Sequence, residues 1–339
     1  MDPLSQGTVG AAFAQSTANK NNIFKISAIG FLAGLVPDLD VLIQSSTDPI
    51  LFLEYHRQFT HSLFFIPFGS LFIALLIFPL VKSSMSLKTV YLASLLGYAT
   101  HGLLDACTSY GTQLFWPFSN ERVTWNNISI VDPLFTIPIL ILVGTAIKTK
   151  KKIFSFFSIG WITFYLSLGF VQYERALSAA IELANERGHN AERLTLKPSF
   201  GNLILWKSIY QHQETFYVDA IRTARSSTWC LGESIRAFDY QYHLPNLDKE
   251  SQQKKDIERF RWFSQDYLGY DKEKNIVTDI RYSMIPNQIA PMWGLVIDDQ
   301  RDINEHAIWW TSRSLDQSQL DLFKDMLKGK KCGNSSLLK

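Results

Sequence analysis

Two long runs without a charged side chain constrain the fold of this chain more than any other feature. Residues 63–81 form an uncharged run of 19 residues, and residues 153–173 form another of 21. A helix of about 20 apolar residues matches the hydrocarbon thickness of a bilayer. In water, the same runs would expose large apolar surfaces or require a core helix of unusual length. The sequence therefore predicts an integral membrane protein.

The hydrophobic segments are confined to the first half of the chain. We predict an α-helical polytopic membrane domain over residues 1–173, with about five spans and a short N-terminal helix. A small soluble α+β domain is expected over residues 174–339. The five predicted spans cover residues 26–36, 63–81, 89–107, 133–147 and 153–173. Residues 3–18 are too short for a span and either lie in the interface or form a buried helix.

The second half of the chain contains short runs rich in β-branched and aromatic residues, which is typical of strands. These runs cover residues 203–210, 214–222, 276–283, 293–298 and 306–311. A helix is expected to continue from the last span and to end at Gly188, because glycine commonly follows a helix C-terminus. A second, amphipathic helix is expected over residues 256–268. An antiparallel sheet fits this pattern.

Basic residues between the predicted spans indicate the orientation of the chain. The clusters Lys20/Lys25, Lys82/Lys88 and Lys148/Lys150–152 all fall on one membrane face if every predicted span crosses. Loops rich in lysine and arginine tend to remain in the cytoplasm. We therefore expect a multi-pass protein of a bacterial inner membrane, whose loops 38–62 and 106–132 lie outside. The C-terminal domain would then be extracytoplasmic, or periplasmic in a double-membrane bacterium.

Charge and motifs exclude several classes of function. The chain has 33 basic and 31 acidic residues, a net charge of +2, so the charge balance does not indicate a nucleic-acid partner. The sequence has no GxSxG, Walker A or GxGxxG motif, and its three cysteines form no CxxC pair. The lipid bilayer is the partner that the sequence indicates most clearly.

Histidines and carboxylates gather at the outer ends of the predicted spans. His101 and Asp105 are four residues apart and share a helical face. Asp38 and Asp40 are two apart, as in an extended segment whose side chains point to one side. Ionisable groups near membrane spans usually pair or take part in chemistry. Imidazole nitrogens and carboxylate oxygens are the ligands of zinc, manganese and iron sites that catalyse hydrolysis.

We expect one divalent ion, zinc or manganese, with ligands His56, His61, His101 and Asp105. Asp38 and Asp40 would complete a second metal position or act as the general base. Arg57 and Arg122 would hold an anionic group of the substrate, such as phosphate, or face phospholipid head groups.

Each of these assignments has a simpler alternative. The two aspartates after Pro37 can end a helix. His101 and Asp105 can form a hydrogen bond within the helix, and His56 can be a solvated loop residue. Asp132 precedes Pro133 and can cap a span. Any one of these alternatives is more expected than all of them holding at the same time.

The order of these motifs resembles the bacterial membrane-bound metal-dependent hydrolase family, often called YdjM-like. The matching motifs are MDPLSQ at 1–6, GLVPDLD at 34–40, HRQFTHS at 56–62, HGLLDACTSYGT at 101–112, WPFS at 116–119 and IVDP at 130–133. The resemblance covers residues 1–147 most strongly and implies an inner-membrane metal-dependent hydrolase. It also implies metal-site roles for His56, His61, His101, Asp105, Asp38 and Asp40. Gln6 departs from the motif, because many relatives carry a histidine there.

These features predict a membrane-embedded metal-dependent hydrolase near the outer leaflet, acting on a lipid or lipid-linked ester or phosphoester. The ion would lower the pKa of bound water to about 7. A non-enzymatic membrane scaffold or metal-binding sensor is the alternative. Transport is less expected, because transporters place polar groups at the bilayer midplane, whereas here they cluster at span ends.

Overall fold

The computed structural model describes residues 1–330, so the last nine residues of the expected C-terminal domain, 331–339, lie outside it. The chain divides into two compact units. The first contains residues 1–43, 55–171 and 200–202, and the second contains residues 44–54, 172–199 and those from 203 onward. The segment 44–54 therefore belongs to the second unit, although the sequence alone places it in a loop of the helical half.

Helices make up the first half of the chain, as expected. They are α1 (Pro3–Gln15), α2 (Ile23–Leu35), α3 (Leu51–Tyr55), α4 (Ile66–Val81), α5 (Leu87–Ala106), α6 (Pro133–Thr149) and α7 (Ile153–Glu186). Two short 3-10 helices, Val36–Leu42 and Phe59–His61, lie between them and carry several of the candidate site residues.

Helix α1 is a short buried helix, which is one of the two arrangements expected for residues 3–18. Ten of its 13 residues are buried. A Cβ atom at Gly10 would lie 2.5 Å from the carbonyl oxygen of Gly30 on α2, and one at Gly97 on α5 would lie 2.4 Å from the same atom. These glycines permit the close backbone contact of α1, α2 and α5, as small residues do between membrane helices. The contact sets the position of α5.

Among the described residues, the helix α7 is long and apolar enough to cross a membrane. The segments Leu51–His61 and Ile66–Val81 pass the same test together, but the chain bends by 83° between them. Helix α6 is apolar and shorter. A helical first half followed by a small β-sheet domain is thus confirmed, whereas the number of five spans stays a prediction.

The second unit contains two four-stranded antiparallel sheets. The first sheet has the order β1 (Glu192–Pro198), β2 (Leu205–His212), β3 (Thr215–Thr223) and β4 (Ser227–Arg236). The second has the order β5 (Leu268–Asp271), β6 (Ile276–Asp279), β7 (Trp293–Val296) and β8 (Ile308–Thr311). The remaining helices are α8 (Tyr240–His243), α9 (Gln252–Phe263) and α10 (Gln317–Lys328).

All five expected strands are present as β2, β3, β6, β7 and β8, but β1, β4 and β5 were not expected. Strand β1 carries several charged residues, and β4 contains Gly232 and Glu233, so neither has a clear apolar pattern. Helix α9 begins earlier than expected because the Ser251 side chain caps it by accepting from the backbone N–H of Lys254. It also ends earlier than expected, at Phe263, and Leu268 begins β5 instead. The helix that continues the last span ends at Glu186, and Gly188 follows with a φ of 71°, as expected.

The core of the first sheet forms against the C-terminal turns of α7. Ala176, Ala180 and Leu183 pack with the buried Trp206 of β2 and Ile221 of β3.

The segment 44–54 joins the same unit through Arg259 on α9. The Arg259 guanidinium forms ion pairs with Asp48, at 2.8 Å, and with Glu54.

The buried Lys207 of β2 predicts that the stability of the second unit depends on pH. Burial lowers the pKa of Lys207 from 10.5 to about 7, and its Nζ atom donates to Ser283 Oγ and the carbonyl oxygen of Gln288, both at 2.7 Å. The unfolded chain keeps this proton up to a pKa of about 10.4, so unfolding takes up a proton above pH 7 and stability rises with pH. We expect a higher Tm at pH 9 than at pH 7, measured by tryptophan fluorescence. The difference should shrink in Lys207→Met; an undiminished difference would contradict this account.

Candidate metal centre

Helix α5 supplies two side chains of the candidate centre. His101 and Asp105 lie one turn apart on its buried face, and neither is exposed to solvent. His101 Nδ1 lies 2.6 Å from the carbonyl oxygen of Gly34, near the end of α2. The imidazole of His101 is therefore held in one orientation by the close contact of α2 with α5.

The 3-10 helix that follows α2 brings two carboxylates to the same place. Pro37 stands at its first turn, where a missing N–H costs no helical hydrogen bond. Asp40 is buried, whereas the side chain of Asp38 is 26% exposed. Asp38 is therefore the carboxylate of the centre that solvent reaches most easily.

His61 reaches the centre from the second 3-10 helix, which packs directly on α5. Tyr98 on α5 donates its hydroxyl to the carbonyl oxygen of Thr60 at 2.7 Å. A Cβ atom at Gly102 would lie only 2.1 Å from the carbonyl oxygen of His61. The absence of a side chain at Gly102 thus sets how closely His61 approaches α5.

Four ligand atoms converge between these segments. His61 Nε2 and His101 Nε2 lie 2.9 Å apart. Asp38 Oδ1 lies 3.3 Å from each of these nitrogens, and Asp105 Oδ2 lies 3.2 Å from His61 Nε2 and 3.5 Å from His101 Nε2. A tetrahedral ion with ligand bonds of about 2.0 to 2.1 Å requires ligand atoms about 3.3 Å apart. The separations therefore match the coordination shell of a small divalent ion.

Hydrogen bonds on the far side of each ring indicate which nitrogen carries the proton. His101 Nδ1 faces a carbonyl oxygen, which only accepts, so this nitrogen donates. Thr60 Oγ1 donates to Asp40 Oδ2 at 2.9 Å and can then accept from His61 Nδ1, also at 2.9 Å. In the neutral rings, both Nε2 atoms thus present lone pairs to one another, which is the arrangement of two histidines that ligate one metal.

The centre needs a positive charge that satisfies all four atoms. Asp105 Oδ2 is buried and has no hydrogen bond, although Arg57 Nε lies 3.1 Å away. A proton between the two histidines would satisfy that pair alone. A divalent ion would satisfy both nitrogens and both carboxylates, so the residues present fit such an ion.

Asp40 and His56 lie beside these four atoms rather than among them. His56 Nδ1 lies 2.7 Å from Asp40 Oδ1, and Asp40 Oδ2 accepts from the backbone N–H of Arg57 at 2.9 Å. Asp40 Oδ2 also lies 3.2 Å from His61 Nδ1. Asp40 thus holds the rings of His56 and His61, as carboxylates behind metal-ligating histidines commonly do. His56 joins Asp38 and Asp40 in a second group of potential ligands.

Both arginines expected to bind substrate are buried and bonded to the protein. Arg57 lies against Asp105 and donates to Thr108 Oγ1 at 3.0 Å. Arg122 donates to the carbonyl oxygens of His56, at 3.2 Å, and Gly111, at 3.0 Å. Both guanidinium groups are therefore engaged within the protein, and substrate binding by either of them stays a prediction.

Comparison with known families shows to which family the chain belongs. Residues 1–176, which contain every side chain of the centre, match the family described as YdjM inner membrane protein. The chain belongs to the YdjM inner membrane protein family. The match covers more than half of the 339 residues and confirms the resemblance that the sequence motifs indicate.

A curated relative of this YdjM-family protein comes from Bacillus subtilis strain 168 and is named uncharacterized protein YfhP. The two are 31% identical over 110 residues, which is 32% of this chain and 33% of the relative. The matched region thus spans about a third of the relative's length. No solved structure matches.

Three contacts of the YdjM-family centre were not expected from the sequence. Gln6 Nε2 donates to Asp105 Oδ1 at 2.8 Å, and the amino group of Met1 contacts the same oxygen. Thr60 links Asp40 to His61. The motifs MDPLSQ and HRQFTHS contain Gln6 and Thr60, but the spacing of residues within these motifs did not predict the contacts.

Asp132 lies apart from the four ligand atoms and caps α6, which agrees with the simpler alternative for this residue.

Substituting Gly102 tests the spacing without removing a ligand. In Gly102→Ala, the new Cβ would push His61 away from α5, and we expect the affinity for zinc to fall at least about tenfold. Gly144→Ala is the matched control, because nothing lies within 4 Å of a Cβ atom at Gly144. Zinc titration of both folded variants measures the effect, and equal affinities would contradict the proposed packing.

Proposed function

We propose that this YdjM-family protein is a membrane-embedded, metal-dependent hydrolase that acts on a lipid or lipid-linked ester near the outer leaflet. The observation that carries the proposal is the buried convergence of two histidine nitrogens with carboxylate oxygens. This ligand set is the one used by hydrolytic metal centres. Two nitrogens and one or two oxygens favour zinc or manganese.

The exposed position of Asp38 supports a catalytic rather than a closed centre. Catalytic zinc sites hold the ion with three protein ligands and leave the fourth position for water or substrate. We assign the three resident ligands to the buried residues His61, His101 and Asp105. Asp38 then lies at the position that solvent reaches, where it can exchange with water.

The residues around the centre divide the remaining tasks. A divalent ion held by these residues would supply Lewis acidity and would lower the pKa of a water molecule to about 7. Asp38 is the best-placed general base for that water, because its Oδ1 atom lies 3.3 Å from both ligating nitrogens. Asp40 fixes the ring of His61, and Arg57 offsets part of the charge of Asp105.

Apolar residues beside the exposed carboxylate support a lipid substrate. Leu39, Val41 and Leu42 follow Asp38 in the same 3-10 helix and are exposed, Leu42 by 74%. Exposed apolar surface of this kind marks contact with lipid or with an apolar ligand. The buried arginines do not favour a phosphoester over a carboxylic ester, so the substrate is proposed only as a lipid ester of either type.

The proposed topology rests on charge asymmetry and on outward-facing apolar residues. Helix α4 exposes a row of large apolar side chains: Phe68, Leu71, Phe72, Leu75, Leu76 and Leu80. Such a surface is stable against hydrocarbon and unstable against water. Together with the lysine clusters, it supports the five-span arrangement with the C-terminal domain outside the cytoplasm.

Removing two resident ligands should remove both the ion and the activity. We expect about one zinc or manganese ion per purified wild-type chain and less than about a tenth of that in His101→Ala/Asp105→Ala. The ion content is measured by mass spectrometry. Incubation with inner-membrane phospholipid and glycolipid extracts should yield hydrolysed lipids with the wild type and none with the double variant.

His306→Ala is the control for this experiment, because His306 contacts Asp256 at 3.0 Å within the second unit, whereas the four ligand atoms belong to the first. It should keep both ion and activity. A wild-type chain that holds no ion after reconstitution with zinc and manganese would overturn the metal centre. An ion without any lipid turnover would instead favour the second candidate function.

The second candidate is a non-enzymatic scaffold or metal sensor, and the number of potential ligands supports it. Structural zinc sites use four protein ligands and leave no open position. If Asp38 binds permanently, the same four atoms form such a closed site. The role of Asp38 therefore separates the two functions.

Two aspartates in one 3-10 helix provide a matched test. We expect Asp38→Ala to keep the ion with little loss of affinity but to abolish lipid hydrolysis. Asp40→Ala should lower the affinity for zinc about 10- to 100-fold, because His61 loses the carboxylate that orients it. Competition with a fluorescent zinc chelator measures both affinities. Release of the ion by Asp38→Ala would show a closed, four-ligand centre and would favour the sensor.

A further inference from the structure

Sites for small molecules commonly have volumes of about 300 to 1,000 Å³. The first unit contains a groove of about 620 Å³ beside α5. Helices α1, α5 and α7 bound this groove. Leu96, Thr100 and Leu103 of α5 line it at intervals of three or four residues, and Cys107 continues this row directly after the helix.

The groove and the metal centre are formed by different side chains. Successive residues of an α-helix are separated by about 100° around its axis. Thr100 and Leu103 therefore point at least about 100° away from His101 and Asp105 on the same helix. None of the four candidate ligand residues lines the groove, so we treat the groove as a separate site.

Helix α7 forms the outer wall of the groove and indicates what surrounds it. Thr163, Ser167 and Phe170 line the groove and are exposed. They belong to α7, the helix that has the length and hydropathy of a membrane span. Only 28% of the apolar segment of this helix is buried within the protein. Because the protein belongs to an inner-membrane family, we expect the groove to face bilayer hydrocarbon.

Two hydroxyl groups in the groove are already bonded to the backbone. Thr100 Oγ1 donates to the carbonyl oxygen of Gly97 at 2.8 Å, and Thr163 Oγ1 donates to that of Ile159 at 3.0 Å. The other lining side chains are almost all apolar. A polar ligand would find few partners here, whereas an acyl chain would lose nothing by entering.

One end of the groove is closed by the loop that follows α5. The backbone N–H of Trp125 donates to the carbonyl oxygen of Ala106 at 2.7 Å, and Asn127 Nδ2 donates to that of Leu166 on α7 at 3.0 Å. Trp125 lines the groove at this end and is partly exposed. Tryptophan is enriched at the level of lipid head groups, which places the head group of a bound lipid at this end.

We infer that this groove binds one acyl chain of a resident phospholipid, which is distinct from the substrate of the metal centre. The bound chain fills the space between α5 and α7, and its head group lies near Trp125. The inference depends on the membrane location of the family and not on the proposed hydrolysis.

Photo-crosslinking with a phosphatidylethanolamine that carries a diazirine in its acyl chain tests this site in vesicles. In the wild type, we expect crosslinks to concentrate on peptides from α5 and α7. Ala99→Trp, which fills the groove from α5, should reduce them about tenfold, and Thr163→Trp should do the same from α7. Leu76→Trp is the control, because Leu76 is exposed on α4 and outside the groove.

The inference would be overturned if α4 and the groove were labelled equally and neither groove variant changed the labelling. It would also be overturned if the groove variants converted a dimer into a monomer without changing the labelling, because a second copy of the chain would then occupy the groove. Unchanged zinc content of Ala99→Trp and Thr163→Trp would show that the fold and the metal centre remain. If the wild-type protein binds no metal ion, the proposed hydrolase is wrong, whereas the proposed lipid site is judged by the crosslinking result alone.

Discussion

The Nε2 atoms of His61 and His101 lie 2.9 Å apart, and carboxylate oxygens of Asp38 and Asp105 lie within 3.5 Å of them. In a buried place, such a group of electron-pair donors repels itself unless a cation binds between its members. The surrounding residues hold this group in place. Gly34 fixes the ring of His101, Thr60 fixes the ring of His61, and Arg57 lies against Asp105. Several contacts of the first unit thus fix a cluster of side chains that could hold one ion.

Sequence patterns predicted the parts of this centre that depend on local spacing. His101 and Asp105 share a helical face because residues four apart always do. The roles of Asp40 and His56 depend on how two 3-10 helices pack against α5, which no local pattern specifies. Likewise, β1 carries charges and was not expected, because its pairing with β2 depends on the sheet as a whole.

The glycines of the first unit explain why the centre is buried so close to the ends of the helices. Gly10, Gly30 and Gly97 bring three helix backbones together, and Gly102 admits the backbone of His61. Larger residues at these positions would separate the helices and open the centre to water. Gly30 and Gly34 lie four residues apart on α2, and a Cβ atom at either would lie within 2.7 Å of a backbone oxygen of α1.

X-ray absorption spectroscopy of the zinc-loaded protein tests the central claim most directly, because it counts ligands around the ion. The account predicts two imidazole rings and two oxygen ligands at about 2.0 to 2.1 Å. The imidazole signal should fall to one ring in His101→Ala. A zinc shell of oxygen atoms alone, or one that still contains two imidazole rings in His101→Ala, would contradict the assigned centre.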